Sequence, residues 1–250
     1  KDVQDVQRKL AMIWNMYDFF TMYAEVDGWE WGGSLDDPLK ELSNPLDRWV
    51  VSRLHKMQQH VTRHMDDYNL PEAMSEVLPL LDDASNWYVR RSRRRFWRES
   101  TVASGDGGKS EDDSDKKDAY RTLHYVLVRL SQVLAPFTPF LAEELYQKLT
   151  GGESVHLLDW PKDGAIDEAV LSDMAQTRVV IEQGLAARMF KTEQESQVKV
   201  RQPLASLRYC GEQQLGAFYE SIIADEVNVK EVIFASQVKT AVSVDKTINP

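Results

Sequence analysis

Between Val3 and Leu149 the apolar side chains recur at every third or fourth residue in five separate stretches. That spacing gathers each set on one face of an α-helix, and each such face must be covered by another. The first stretch holds Val3, Val6, Leu10, Ile13, Trp14, Tyr17, Phe20 and Tyr23 and is stopped by Gly28, after which Trp29–Leu42 reads as a connector. The second holds Leu46, Val50, Leu54, Met57, Val61 and Met65, with Asn44 as its N-cap and Pro45 in the first helical position. A third begins near Leu70-Pro71 and runs through Ala73, Val77, Leu80, Leu81, Ala84 and Tyr88 toward Trp97, and Pro79 inside it predicts a kink or a broken turn. Leu123, Val126, Leu127, Leu130 and Leu134 write the fourth, which ends at Pro136. The fifth has Thr138 as its cap, buries Phe140, Leu141, Leu145 and Leu149, and ends at Gly151-Gly152.

Beyond residue 150 the pattern changes. Ser154–Pro161 reads as a short extended segment and Ala165–Phe190 as helix. Val198–Tyr209 and Val227–Ala235 alternate like strands with helical Leu215–Ala224 between them, and Val238–Val244 offers a further strand. The expected fold is therefore mainly α, a helical bundle followed by a small α+β domain. The expected division is a connecting helix and linker over 1–43, the bundle over 44–160 and the α+β domain over 161–250. Residues 100–115, rich in Gly, Ser and Asp, read as a flexible acidic loop.

Charge narrows the function. Forty acidic residues against thirty basic give a net charge of −10, which excludes a uniformly basic nucleic-acid coat but not a local basic patch. No stretch approaches the roughly 20 apolar residues of a spanning helix. The single cysteine, Cys210, cannot form an internal disulfide and suits a reducing compartment. A start at Lys1 without Met and a polar end at Asn249-Pro250 read as a fragment of something longer.

The local patch is Ser85–Arg98, where six arginines and four aromatic residues occur without one acid. At about 100° per residue, with Val77 marking the core direction, Leu81, Ala84 and Tyr88 point inward. Arg90, Arg93 and Trp97 point away, Trp87 and Arg94 lie on a flank, and Arg91 and Arg95 continue the inward stripe. The outward group has what phosphate and base recognition needs, namely fixed charge, forked donors and flat rings for unstacked bases. The inward pair either lies beyond the bundle's end or pairs with carboxylates such as Asp82 or Asp83 or those of a neighbouring helix. The plainer reading is a solvated arginine run that favours the negative pole of its helix.

Other chemistry is sparse. His60 and His64 have the i, i+4 spacing of a metal pair, but the sequence shows no third ligand. Gly105–Gly108 is followed by Lys109-Ser110 but lacks the preceding strand of a phosphate loop and reads as a linker, Glu143-Glu144 reads as the polar face of the fifth helix, and Cys210 has no His near it in sequence. No GxGxxG, GxSxG or HExxH occurs, so no catalytic residue and no metal site is expected, and the chain reads as a recognition part.

Asn44-Pro-Leu-Asp-Arg-Trp49, Leu70-Pro-Glu-Ala73 and Asn86-Trp-Tyr-Val-Arg-Arg-Ser-Arg-Arg-Arg-Phe-Trp97 together resemble the anticodon-binding helical domain of isoleucyl-tRNA synthetases. Leu134-Ala-Pro-Phe-Thr-Pro-Phe-Leu-Ala-Glu-Glu-Leu-Tyr146, Ser154-Val-His-Leu-Leu-Asp-Trp-Pro161, Lys199-Val-Arg-Gln-Pro-Leu204 and Glu226-Val-Asn-Val-Lys230 follow in the family's order. The valyl enzymes share a Trp-Tyr at the third motif but not the arginine run that follows, which favours isoleucine.

The resemblance implies a cytoplasmic, monomeric ligase fragment whose partners are isoleucine tRNA, through its anticodon stem-loop, and a catalytic domain in cis. ATP and Mg would act in that domain, with no cofactor in this fragment. The implied tRNA-binding residues are Trp87, Arg90, Arg91, Arg93, Arg94 and Trp97, with Lys199 and Arg201 as a second surface. On the residues alone, a protein-interaction scaffold with an arginine docking ridge stays open.

Overall fold

The computed structural model describes residues 2–97, 111–190, 197–235 and 241–246. They form two compact units, Lys1–Asp167 and Glu168–Pro250. Among the described residues no helix is long and apolar enough to cross a membrane.

The first unit is a helical bundle of α1 (Asp2–Asp27), α2 (Pro45–Asp66), α3 (Leu70–Ala73), α4 (Val77–Asp82), α5 (Arg90–Trp97), α6 (Glu111–Leu134) and α7 (Pro139–Thr150). Its start signals act as expected at α2, where the Asn44 side chain accepts from the Leu46 N–H and Pro45 needs no partner. At the end of α7, Gly151 takes the left-handed conformation, with φ of 66°. The core holds Ile13, Val50, Leu54, Leu80, Leu81, Leu123 and Leu127, each essentially inaccessible. Aromatic edges fill one end of it, with the Phe96 ring 5.0 Å from Phe19 and 4.9 Å from Tyr120.

The third helix breaks upstream of Pro79, at the turn 74–76, so Pro79 sits in the first turn of α4 where its missing N–H costs nothing. Phe140 is 91% exposed, because it lies beside Pro139 at the open start of α7. Thr138 occupies the cap position of α7, yet its hydroxyl donates back to the Leu134 carbonyl at 3.4 Å. Ser154–Pro161 contains a 3-10 turn at Val155–Leu157, held by Glu143 Oε2, which accepts from Ser154 Oγ and the Val155 N–H. Glu143 is thus a clamp between α7 and that turn rather than only a polar face. The acidic stretch is divided as well. Residues 111–115 open α6, where Asp113 favours the positive pole of the helix, while 98–110 and the Gly105–Gly108 cluster lie outside the described residues.

Residues 161–167 run along α2 as a strap. Successive turns of the helix offer Gln58 to the carbonyls of Pro161 and Lys162, His55 to that of Ala165, Ser52 to the Asp167 N–H, and Arg48 to the Asp167 carboxylate. A Cβ on Gly164 would stand 2.2 Å from His55 Cε1, so the strap approaches this closely only as glycine.

His55 and His124 are both buried, and burial lowers both imidazole pKa values, opposed by hydrogen bonds to the carbonyls of Ala165 and Leu149. Below the usual imidazole value of 6.5 the unfolded chain takes up protons that the folded chain refuses, so acidification favours unfolding. The melting temperature is expected to fall between pH 7 and pH 5, and His124→Gln to flatten that slope. A melting temperature flat across this window would show that neither histidine is held neutral.

The second unit contains α8 (Glu168–Met189), β1 (Leu204–Tyr209), α9 (Ala217–Val227), β2 (Val229–Phe234) and β3 (Val242–Val244). The sheet order is β2-β1-β3, with β1 parallel to β2 and antiparallel to β3. A parallel neighbour needs a crossover, and α9 supplies it. A Cβ on Gly184 would lie 2.7 Å from Leu207 Cδ1, so α8 gains its close approach to the sheet by lacking one.

Residues 198–203, expected to be strand, form a turn instead, and its organiser is Arg188. This side chain is 0% exposed, and its guanidinium donates to the carbonyls of Lys199, Gln202, Val227 and Asn228. Burial lowers its pKa from the ordinary arginine value. Four carbonyls fix the turn without a carboxylate, and Pro203, lacking an N–H, ends it before β1.

Candidate nucleic-acid interface

Between α4 and α5 the helix widens into a seven-residue π-helical segment, Asp83–Val89, Asp-Ala-Ser-Asn-Trp-Tyr-Val. A π-bulge inserts one residue into the helical repeat and rotates everything after it by about 100°. The uninterrupted repeat would leave Phe96 on a flank; the insertion turns it into the core, 1% exposed, and buries Ser92 with it. Periodicity at a fixed 100° could not have found this shift.

The arginines separate into two populations with different members than expected. Among the described arginines of the run Arg95 alone is buried, and it binds Asp47 bidentately at 2.7 and 2.6 Å and Asp115 Oδ2 through Nε at 2.8 Å. Tyr88 completes the cluster by donating its hydroxyl to Asp47 at 2.7 Å. Burial pulls the Arg95 pKa down, but the hydrogen bonds and charge of Asp47 carry it above the ordinary arginine value. Tyr88 is raised well above its usual value, first by burial and then by the Asp47 charge. Arg95 is therefore a fixed cation of the core, and Asp47 is its receiving carboxylate.

Arg98 lies outside the described residues, and the other four arginines of the run form a ridge. Arg90, Arg93 and Arg94 are exposed and Arg91 is half-buried. The guanidinium carbons of Arg90 and Arg91 stand 5.5 and 5.9 Å from the Trp87 ring, so the half-buried indole gathers both cations over itself. Among the described residues, neither Arg93 nor Arg94 has a hydrogen-bond or ion-pair partner. Trp97, 58% exposed, is held by one edge because its indole N–H donates to the Tyr23 hydroxyl. Held this way, it presents a fixed flat surface at the ridge's end, without the entropy cost of ordering a free side chain.

Past Tyr23, α1 ends at a cleft that sequence reasoning missed. It encloses about 550 Å³ and is lined by Trp29, Trp31 and Tyr120 with Lys116, Lys117 and Arg121. Acids balance it, as Lys116 pairs with Asp27 at 2.6 Å and Tyr120 donates to Asp27. Burial, then the Asp27 hydrogen bond, raises the Tyr120 pKa, keeping the phenol protonated. The connector's two tryptophans, one on each side of Glu30, were the available signal.

Lys199 and Arg201 are exposed and belong to the turn of the second unit that Arg188 organises. Cys210 is half-buried just after β1.

The family profile of the anticodon-binding domain of tRNA ligase matches residues 47–206, from the Asp that receives Arg95 into β1. The chain belongs to this anticodon-binding family. Curated relatives of the domain include the isoleucine–tRNA ligase of Clostridium acetobutylicum, 36% identical over 254 residues and covering 97% of this chain. That of Dehalococcoides mccartyi is 38% identical over 243 residues, 92% of this chain, and that of Protochlamydia amoebophila 35% over 257 residues, 96%. The anticodon-binding chain spans 22% of the length of each of these ligases.

Proposed function

We propose that this chain holds the anticodon stem-loop of an isoleucine tRNA as part of a ligase whose ATP- and Mg-dependent chemistry lies in another portion of the protein. The observation that carries the reading is the ridge: two exposed arginines without partners among the described residues, lying in sequence between Trp87 and the exposed Trp97 on a helix anchored by Arg95. Phosphates of the loop meet the arginines and splayed bases meet the flat rings, the division of labour by which single-stranded RNA is recognised. The relatives' names supply the amino acid, and the family supplies the anticodon.

The net charge of −10 fits this use. An acidic body repels wrongly placed RNA, and a single basic ridge orients the right one. We assign residues 1–43 to the junction with the catalytic part and Lys199 and Arg201 to a weaker second contact. The whole protein is taken to be monomeric and cytoplasmic.

Titration of the anticodon stem-loop in a filter-binding assay tests the reading. Trp97→Ala is expected to weaken binding by about 1–3 kcal/mol, the worth of one stacked base, with an unaltered circular dichroism spectrum. An unaltered affinity would remove Trp97 from the interface. Saturable binding of an acidic protein partner in place of RNA would favour a docking scaffold.

A further inference from the structure

We propose that His60, His64 and Glu72 form a binding site for a borderline divalent transition metal such as zinc. His60 and His64 lie one turn apart on α2, with ring centroids 4.4 Å apart. The short helix α3 folds back to bring Glu72, which no spacing in the sequence announces, within 3.9 Å of His60 Nε2. One ligand atom from each of the three residues falls within 4.8 Å of the others. Two imidazoles and a carboxylate are a donor set that zinc accepts in tetrahedral geometry.

The distances are near those a metal requires. Bonds of about 2.0–2.2 Å place tetrahedral ligand atoms about 3.3 Å apart, so closing the site needs movements of about 1.5 Å or less. Rotation about side-chain bonds of half-buried His64 and exposed Glu72 covers that. The site is also partly assembled. Ser75 Oγ lies 3.0 Å from His60 Nε2 and donates to Glu72 Oε1 at 3.3 Å, so the imidazole and the carboxylate are already held together.

The protons agree for His64. Arg63 Nη2 lies 3.0 Å from His64 Nε2, and a guanidinium can only donate, so this nitrogen is unprotonated, and ligation through it exchanges the Arg63 hydrogen bond for the metal bond as the exposed arginine swings away. His60 Nε2 donates to the Glu72 carbonyl at 2.8 Å. Ligation by that nitrogen moves its proton to Nδ1 and exchanges this hydrogen bond for the metal bond. The bound ion ties α3 to α2, so binding adds to the stability of this corner. The alternative is a hydrogen-bonded corner that takes no metal.

Calorimetric titration of the chelator-treated 250-residue protein with zinc chloride alone, paired with cobalt chloride followed by visible absorption, decides between them. The expected result is one ion per chain, a dissociation constant on the order of micromolar and cobalt bands of four-coordinate nitrogen–oxygen ligation. His60→Gln, His64→Ala and Glu72→Gln are each expected to weaken binding at least about tenfold. His64→Ala removes the Arg63 hydrogen bond and the ring contact with His60 from a half-buried site, and keeps the test valid if His60→Gln unfolds. No saturable binding, or binding unaltered by His64→Ala, overturns the site. Loss with His64→Ala but not with Glu72→Gln overturns the three-ligand assignment.

Discussion

Arg95→Ala is expected to destabilise the first unit by about 3–5 kcal/mol, measured as the shift in its denaturant unfolding midpoint. The reason is what the truncation leaves behind. Asp47 is 0% exposed and receives three hydrogen bonds, two of them from Arg95. Removing the cation strands a carboxylate that water cannot reach, and the cost is that of an unpaired buried charge rather than of an ordinary hydrogen bond. Asp115 keeps the hydrogen bond from Asn44 but loses its cation, and with it the tie between α5 and the start of α6. Removing both charges, in Asp47→Leu with Arg95→Met, should recover much of the stability, because apolar packing replaces the pair. A change within about 0.5 kcal/mol for Arg95→Ala, as at an ordinary surface site, would contradict the buried-anchor account.

Arg93→Ala combined with Arg94→Ala is expected to do the reverse. Both side chains are exposed, so stability should stay within about 0.5 kcal/mol of the parent. Anticodon stem-loop affinity should fall about ten- to a hundredfold, the worth of hydrogen bonds from charged donors to phosphate. The slope of affinity against salt, on logarithmic axes, should flatten by about 0.7 for each single-strand phosphate that is no longer neutralised. Arginine changes at neighbouring positions of one helix thus separate folding from binding. If the ridge variant unfolded, the solvated helix end would have been structural after all.

The helices were legible in the sequence because their stripes obey one period and their boundaries carry local chemistry, as Asn44-Pro45 and Gly151 show. Two kinds of feature were not. A π-bulge alters the period itself, so a wheel drawn at constant pitch placed Arg91 with Arg95 on the inward stripe, whereas only Arg95 of the two is buried. Hydrogen bonds to backbone carbonyls carry no residue signature, which hid the strap on α2 and the turn around Arg188. The ridge was partly legible. Arg90, Arg93 and Trp97 point outward as periodicity predicts, and Arg94 joins them, but the partner of Arg95 could be given only as a carboxylate of some neighbouring helix. Naming Asp47 required the packing of α2 against the π-helical segment.

The ridge is expected to read a particular loop rather than any RNA, and a paired titration decides it. The protein is titrated at physiological salt with the isoleucine anticodon stem-loop and with the same stem-loop carrying substituted anticodon bases. Sequence reading predicts at least about tenfold weaker binding of the substituted loop, since unpaired polar groups at one wrong base cost about 1–3 kcal/mol. Equal affinity for the two loops, or no binding of either at low salt, would contradict it.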